Sequence, residues 1–153
     1  MKSQKIIITS VLFLIMSKPV SAQNDTGIIH IRSAYTVTNT ISKLEETLKS
    51  KGMTIFKRVD HTAGAEKAGL TLRPTELLIF GNPKIGTPLM LCSQTAALDL
   101  PQKALAYKDE DGQVWLAYND PAYMAKRHGI SGCEKPLQKV SNALAKFAKI
   151  ATE

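Results

Sequence analysis

Seven polar side chains near the ends of predicted strands and helices could bind a ligand or move a proton. They are Asp60, His61, Asn82, Lys84, Tyr118, Arg127 and His128. Lys, Arg and Asn side chains donate hydrogen bonds that suit an anion, and a His can act as acid or base near neutral pH. Because loops at strand ends are where binding residues collect, we expect these side chains to line one polar cleft for a small anionic ligand.

The same residues also have structural interpretations. Asp60 can cap the helix predicted to follow it by accepting backbone N–H bonds, and Asn82 lies in a Gly-Asn-Pro turn signal. A histidine at a helix C-terminus, such as His128, interacts favourably with the helix dipole without any substrate. The sequence leaves open whether each side chain binds a ligand or stabilises the fold.

Besides an exported binding or accessory protein, two other classes of function stay open. One is a small enzyme that uses His61 or His128 as acid and base. The sequence has no GxSxG, GxGxxG, Walker or HExxH motif, so no catalytic residue is assigned. The other is a copper- or zinc-handling protein, for which His128, Met124 and His61 are weak candidate ligands. Neither a metal site nor a cofactor is assigned from the sequence.

The chain has two cysteines, Cys92 and Cys133. An even number of cysteines in an exported protein favours a disulfide, although two separate buried thiols are the alternative. We predict that the two cysteines pair.

The first 22 residues have the three-part layout of a secretory signal peptide. Lys2 and Lys5 precede an apolar run from Ile6 to Met16, and Val20-Ser21-Ala22 supplies small residues for cleavage. The apolar run is short for a membrane span, which favours cleavage over a retained anchor. We therefore expect a periplasmic or secreted protein whose mature part, residues 23–153, is a single α+β domain.

Composition and charge are those of an ordinary globular chain. Of its 153 residues, 44% are hydrophobic and 22% are charged, which argues against a disordered chain. Cleavage would remove Lys2, Lys5 and Lys18 and lower the formal charge from +7 to +4. The remaining basic residues are spread along the chain without interleaved aromatics. We therefore expect no nucleic-acid binding and no membrane association after cleavage.

Hydrophobic periodicity predicts five strands and five helices. The predicted strands are 27–34, 53–60, 75–80, 101–108 and 113–119, and the predicted helices are 37–51, 61–70, 88–98, 121–128 and 134–151. The nearly all-apolar strand 75–80 is predicted to be buried on both faces, and Gly81 to Lys84 is predicted to be a turn.

This order of elements predicts an α+β two-layer sandwich. One mixed or antiparallel sheet of about five strands would carry helices mainly on one face. The other face of the sheet would then need water or a partner. Since the strands carry apolar residues on both faces in places, we expect a homodimer.

A series of short segments follows one another in a recognisable order. They are Asp60-His61, Ala65, Leu72 to Thr75, Phe80 to Thr87, Leu89-Met90, Ala97 to Pro101, Asp111-Gly112, Tyr118 and Arg127 to Ile130. This order resembles the bacterial domain-of-unknown-function 302 family over about residues 35–131. The resemblance implies a compact α+β fold, often dimeric, with no established activity and no catalytic residue to carry over. Cys92 and Cys133 lie outside the family pattern.

Overall fold

A computed structural model describes residues 26–153, so the predicted signal peptide lies outside the described residues. The strands are β1 (Ile28–Ser33), β2 (Thr54–Asp60), β3 (Thr75–Gly81), β4 (Gln102–Lys108) and β5 (Val114–Asn119). The helices are α1 (Val37–Ser50), α2 (His61–Lys67), α3 (Pro83–Cys92), α4 (Pro121–His128) and α5 (Glu134–Thr152), with a 3-10 helix at Gln94–Leu98. Within residues 26–153, no helix is long and apolar enough to cross a membrane.

The five strands form one sheet in the order β1-β5-β4-β3-β2, and every neighbouring pair is antiparallel. The predicted Asp-Gly hairpin joins β4 to β5, where Gly112 adopts a φ of 81°. That backbone conformation is open to glycine at little cost. The predicted α+β class is confirmed. Of the two predicted kinds of sheet, mixed or antiparallel, the protein has the antiparallel one.

The core lies between the sheet and the two longest helices, α1 and α5, which pack against each other. Helix α1 buries Ile41, Leu44 and Leu48 at the predicted four-and-three spacing. Helix α5 contributes the second apolar stripe, Val140, Leu144, Phe147, Ala148 and Ala151. The apolar stripe of an amphipathic helix packs against the core of the protein. Here the sheet covers the stripes of both helices.

Burial alternates along β3. Glu76, Leu78 and Phe80 are buried beneath the helices, whereas Leu77 and Ile79 are only half-buried. The prediction of a strand buried on both faces was therefore wrong. With α1 and α5 on one face, alternate side chains of the central strands point to the opposite face. We call this opposite face the open face; it includes Leu77, Ile79, Leu105 and Trp115.

Helix α3 begins earlier than predicted. Asn82 is its N-cap and Pro83 its first residue, so the predicted turn is the start of a helix, and Pro88 lies inside it. Asn followed by Pro is common in turns and also at helix N-termini. Pro is tolerated as the first residue of a helix because a backbone N–H at that position has no partner within the helix. The predicted helix 88–98 is divided at the extended residue Ser93.

Candidate functional site

The seven predicted site residues lie in separate parts of the fold. Thr54 pairs with Gly81 and Asp60 pairs with Glu76 across the β2–β3 ladder. Asp60 and His61 therefore lie at one end of the sheet, and Asn82 and Lys84 lie at the other. At about 3.3 Å per residue, the length of β2 separates the two pairs by roughly 20 Å.

Asp60 has the capping contact that its sequence position suggested. Its carboxylate accepts a hydrogen bond from the backbone N–H of Ala63 at 2.9 Å, at the start of α2. His61 is the first residue of that helix and is exposed. Asp60 is therefore the N-cap of α2, and His61 lies on the surface next to it.

Tyr118 is buried under the helices, on the face of β5 that also carries Leu116. Burial raises the pKa of the Tyr118 phenol above its usual value, and the nearby Asp120 carboxylate raises it further. The phenol is thus a neutral group within the core.

An apolar concavity lies between α3, α5 and the sheet end formed by the start of β2 and the end of β3. We call it the cavity; its volume is about 640 Å³. Its apolar walls include Met53, Phe80, Leu89, Leu144 and Phe147. Pockets of several hundred Å³ lined mainly by apolar side chains are typical small-molecule sites.

Three lysines line the cavity and come from three different elements. Lys51 follows α1, Lys84 lies in the first turn of α3, and Lys139 lies on α5; all three are exposed. Asn82, Thr87 and Gln102 add polar atoms, and none of the residues lining the cavity is acidic. The lining therefore combines an apolar interior with positive charge, a combination that suits an anion with an apolar body.

Asn82 connects two of these lysines through its side-chain amide. The amide oxygen accepts a hydrogen bond from the Lys84 backbone N–H at 2.9 Å, and the amide nitrogen donates to the Gly52 carbonyl at 3.2 Å. The first bond caps α3, and the second holds the turn that carries Lys51. Asn82 therefore positions Lys51 and Lys84.

Next to the cavity, residues 92–99 are bound to residues 127–133 along what we call the seam. A disulfide joins Cys92 to Cys133, with 6.5 Å between the two Cα atoms, so the predicted pairing is present. The Ser93 hydroxyl donates to the His128 carbonyl at 2.8 Å. Because Cys92 ends α3 and Cys133 precedes α5, the seam joins the two helices that form walls of the cavity.

The His128 imidazole lies at the centre of the seam, and its side chain is only 4% exposed. Its Nε2 lies 2.6 Å from Asp99 Oδ2, and its Nδ1 lies 3.1 Å from Thr95 Oγ1. Arg127 donates to the same carboxylate at 3.3 and 3.4 Å. Arg127 and His128 therefore meet at Asp99, a residue outside the seven predicted from the sequence.

Of the three weak metal candidates, only Met124 and His128 lie on one helix, four residues apart on α4. Met124 is buried in the core, His61 lies at the far end of β2, and both His128 ring nitrogens lie within hydrogen-bond distance of seam side chains. Among residues 26–153, no group of three or more His, Cys, Asp or Glu side chains could hold a metal ion.

Sequence reasoning identified Asn82 and Lys84 but missed their neighbours in space. Lys51 follows a helix and Lys139 lies on a helix face, and neither belongs to a local sequence motif. Thr95 likewise has no sequence motif around it. Asp99 belongs to the Ala97 to Pro101 segment of the family resemblance and is not among the seven predicted site residues. Its place beside Arg127 and His128 could have been found by asking which acid pairs with a basic helix end.

Curated relatives that match this chain include proteins named fluoride-specific ion channel FluC 1, from Brucella suis biovar 1 and from Brucella abortus biovar 1. Both are 50% identical to this chain over 112 residues, which is 73% of its length. The match covers 44% of the first relative and 42% of the second, so it spans less than half the length of either.

The fold resembles a solved structure and the sequence matches a family model. The crystal structure of an uncharacterized conserved DUF302 protein from Bacillus stearothermophilus superposes with a TM-score of 0.73 and 18% identity. The superposition covers 82% of this chain and 98% of that one, and so supports a shared fold. The model of the domain of unknown function DUF302 matches residues 29–147. On this match, the chain belongs to the DUF302 family.

Proposed function

We propose that this chain is an exported binding protein that takes a small amphipathic anion into the cavity. Such a ligand has an apolar body and a negatively charged end. The observation that carries the proposal is an apolar cavity whose lining includes Lys51, Lys84 and Lys139 and no acidic side chain.

The two parts of the ligand would be held by different interactions. Removal of an apolar body from water contributes about 25 cal/mol per Å² of buried surface. Each exposed lysine adds a modest attraction of about 0.2–1 kcal/mol. Because the lysines come from three elements, their charges come together only in the folded chain.

The names of the Brucella relatives bear on an accessory role. A region similar to this chain forms less than half of proteins named fluoride-specific ion channels. A cavity of about 640 Å³ is far larger than a monatomic anion needs. We therefore propose that this chain accompanies other proteins as a binding module for a larger anion.

Export and dimerisation belong to the same proposal. The layout of residues 1–22 supports cleavage after Ala22 and a periplasmic or secreted location. The apolar open face supports a homodimer. A mature N-terminus at Gln23 in the extracytoplasmic fraction, read by mass spectrometry, is expected for export, and Met1 there would contradict it. Light scattering should give twice the mass of one mature chain, and Leu105→Glu on the open face should halve it.

The binding proposal is tested with two probes that differ in charge, decanoate and decanol. Decanoate should raise the melting temperature, because a ligand that binds the folded state stabilises it by mass action. Decanol should bind more weakly. Replacement of Lys51, Lys84 and Lys139 by Gln should weaken decanoate binding about tenfold, by the sum of three surface-type attractions.

The matched control replaces three exposed lysines outside the cavity lining, Lys57, Lys67 and Lys126, by Gln. This variant should bind decanoate as the wild type does. If decanoate does not bind, the proposal fails. Equal loss of affinity in the two triple variants would mean that general surface charge, and not the cavity, attracts the anion.

A further inference from the structure

We propose that the seam holds a second site, an acyl-transfer centre in which Thr95 is the nucleophile and His128 is its general base. The inference is independent of ligand binding in the cavity. It rests on three side chains in series, Thr95, His128 and Asp99, linked by distances of 3.1 and 2.6 Å.

The direction of each hydrogen bond follows from the chemistry of the groups. An ionised carboxylate only accepts hydrogen bonds, so the short contact with Asp99 places the proton of neutral His128 on Nε2. The other ring nitrogen, Nδ1, then carries a lone pair and accepts from Thr95. The Ser93 hydroxyl donates to the His128 carbonyl, so Ser93 Oγ can only accept in its 3.1 Å contact with Thr95. The Thr95 proton is therefore shared between Ser93 Oγ and His128 Nδ1, and the proposed reaction uses the bond to Nδ1. A hydroxyl that donates to an oriented imidazole is the arrangement of an activated nucleophile.

The surroundings hold the base in place. The His128 side chain is 4% exposed and Asp99 is 13% exposed, while Arg127 donates a further bond to Asp99. The hydrogen bond between Nε2 and Asp99 fixes the orientation and the tautomer of the ring. Asp99 therefore acts as a positioning residue, and Arg127 in turn orients Asp99.

The nucleophile itself faces solvent. Thr95 is an exposed residue of the 3-10 helix, so an ester can approach it although the base behind it is buried. The same helix carries Ala97, which lines the cavity. A small activated carboxylic ester is the substrate class that this geometry fits.

The proposed reaction has two balanced halves. Thr95 Oγ1 forms a bond to the ester carbonyl carbon as its proton moves to His128 Nδ1, and the leaving alcohol departs with that proton. Water then attacks the resulting threonyl ester and gives a proton to Nδ1. The acid leaves, and Thr95 recovers its proton.

The test uses p-nitrophenyl acetate with the purified, disulfide-bonded protein. We expect p-nitrophenol release together with one acetyl group on the peptide that contains Thr95. Thr95→Ala should lower the rate about 100-fold, the low end of the range for positioned acid–base assistance. Thr95→Ser keeps a hydroxyl and should retain activity, and Thr71→Ala, at another exposed threonine, should have the wild-type rate.

Asp99→Asn tests the positioning role, because it keeps the shape of the side chain and removes its charge. It should lower kcat with little change in KM, since the ring loses the carboxylate that holds its tautomer and orientation. A structural role alone would lower the melting temperature without a loss confined to kcat. The proposal is overturned if Thr95→Ala keeps the wild-type rate, if acetyl groups appear only on lysines, or if no acetylated Thr95 forms.

Discussion

The cavity and the seam are neighbours built in opposite ways. In the cavity, apolar side chains of α3, α5 and the sheet face an open volume of about 640 Å³. In the seam, two chain segments are joined by a disulfide and by hydrogen bonds centred on His128. Protein interiors are normally packed to the density of organic crystals, so a volume of this size needs walls that do not collapse inward.

The contrast shows how such a volume can persist. Cys92 ends α3 and Cys133 precedes α5, so the disulfide fixes the separation of these helices at one end. The Asn82 amide fixes the other end of α3 to the turn after α1. Helix α3, one wall of the cavity, is therefore held at both of its ends. Four sets of substitutions test whether the cavity and the seam differ in this way.

The largest expected effect is loss of the disulfide. Replacement of Cys92 and Cys133 by Ser should lower the free energy of unfolding by about 4 kcal/mol, because a closed loop of this length restricts the unfolded chain. Urea denaturation of the oxidised wild type and the double variant measures the difference. Reduced wild type should match the variant, and equal midpoints for all three samples would contradict the role assigned to the bond.

The second prediction compares the stability effects of His61 and His128, the two histidines that the sequence offered as acid–base candidates. His128→Ala removes a part-buried hydrogen bond to the Asp99 carboxylate and an exposed one to Thr95, and should cost about 2–3 kcal/mol of stability. His61→Ala changes an exposed residue and should stay within about 0.5 kcal/mol. If thermal or urea unfolding gives the same loss of stability for both variants, the His128 contacts in the seam stabilise the fold no more than an exposed side chain does.

A third variant fills the cavity without touching the seam. Ala143 lines the cavity, so Ala143→Phe should weaken decanoate binding at least tenfold by occupying the space of the ligand body. Stability should change by less than about 1.5 kcal/mol, since the new ring enters open volume and not a filled core. Ala145→Phe, at an exposed position of the same helix, is the control and should bind as wild type does. Unchanged affinity in Ala143→Phe would place the ligand elsewhere.

The smallest effect concerns Asn82, which belongs to the cavity but acts through hydrogen bonds. Asn82→Ala should cost about 1 kcal/mol, the usual value of an N-cap. Asn82→Ser can still cap α3, but its shorter side chain does not reach the Gly52 carbonyl, so it should recover stability while decanoate affinity stays reduced. Recovery of both properties by Ser would show that the bond to Gly52 has no part in placing Lys51.

Much of the fold could be predicted because its elements follow local patterns. The apolar stripes of α1 and α5 and the Asp-Gly hairpin each depend on residues close in sequence. The start of α3 was mispredicted because Asn82-Pro83 is equally good as a turn and as a helix start. Burial of β3 was overestimated because its sequence does not show on which face helices lie.

The candidate site was less predictable because tertiary packing assembles it. Lys51, Lys84 and Lys139 come from three elements, and His128 meets partners 33 and 29 residues away in the chain. No spacing rule covers such distances. Asn82 and Lys84 were found only because the cavity begins at a segment that was already conspicuous in the sequence.

The sheet order also bears on the time at which the fold can be completed. In the described sheet, β1 has β5 as its neighbour, and Ser33 pairs with Val114. A chain leaves the ribosome N-terminus first, so β1 emerges long before its partner exists. Pairing between such distant segments also slows folding. The first strand therefore cannot form its native pairing until residues 114–119 have been synthesised, so the sheet is completed only when most of the chain has emerged.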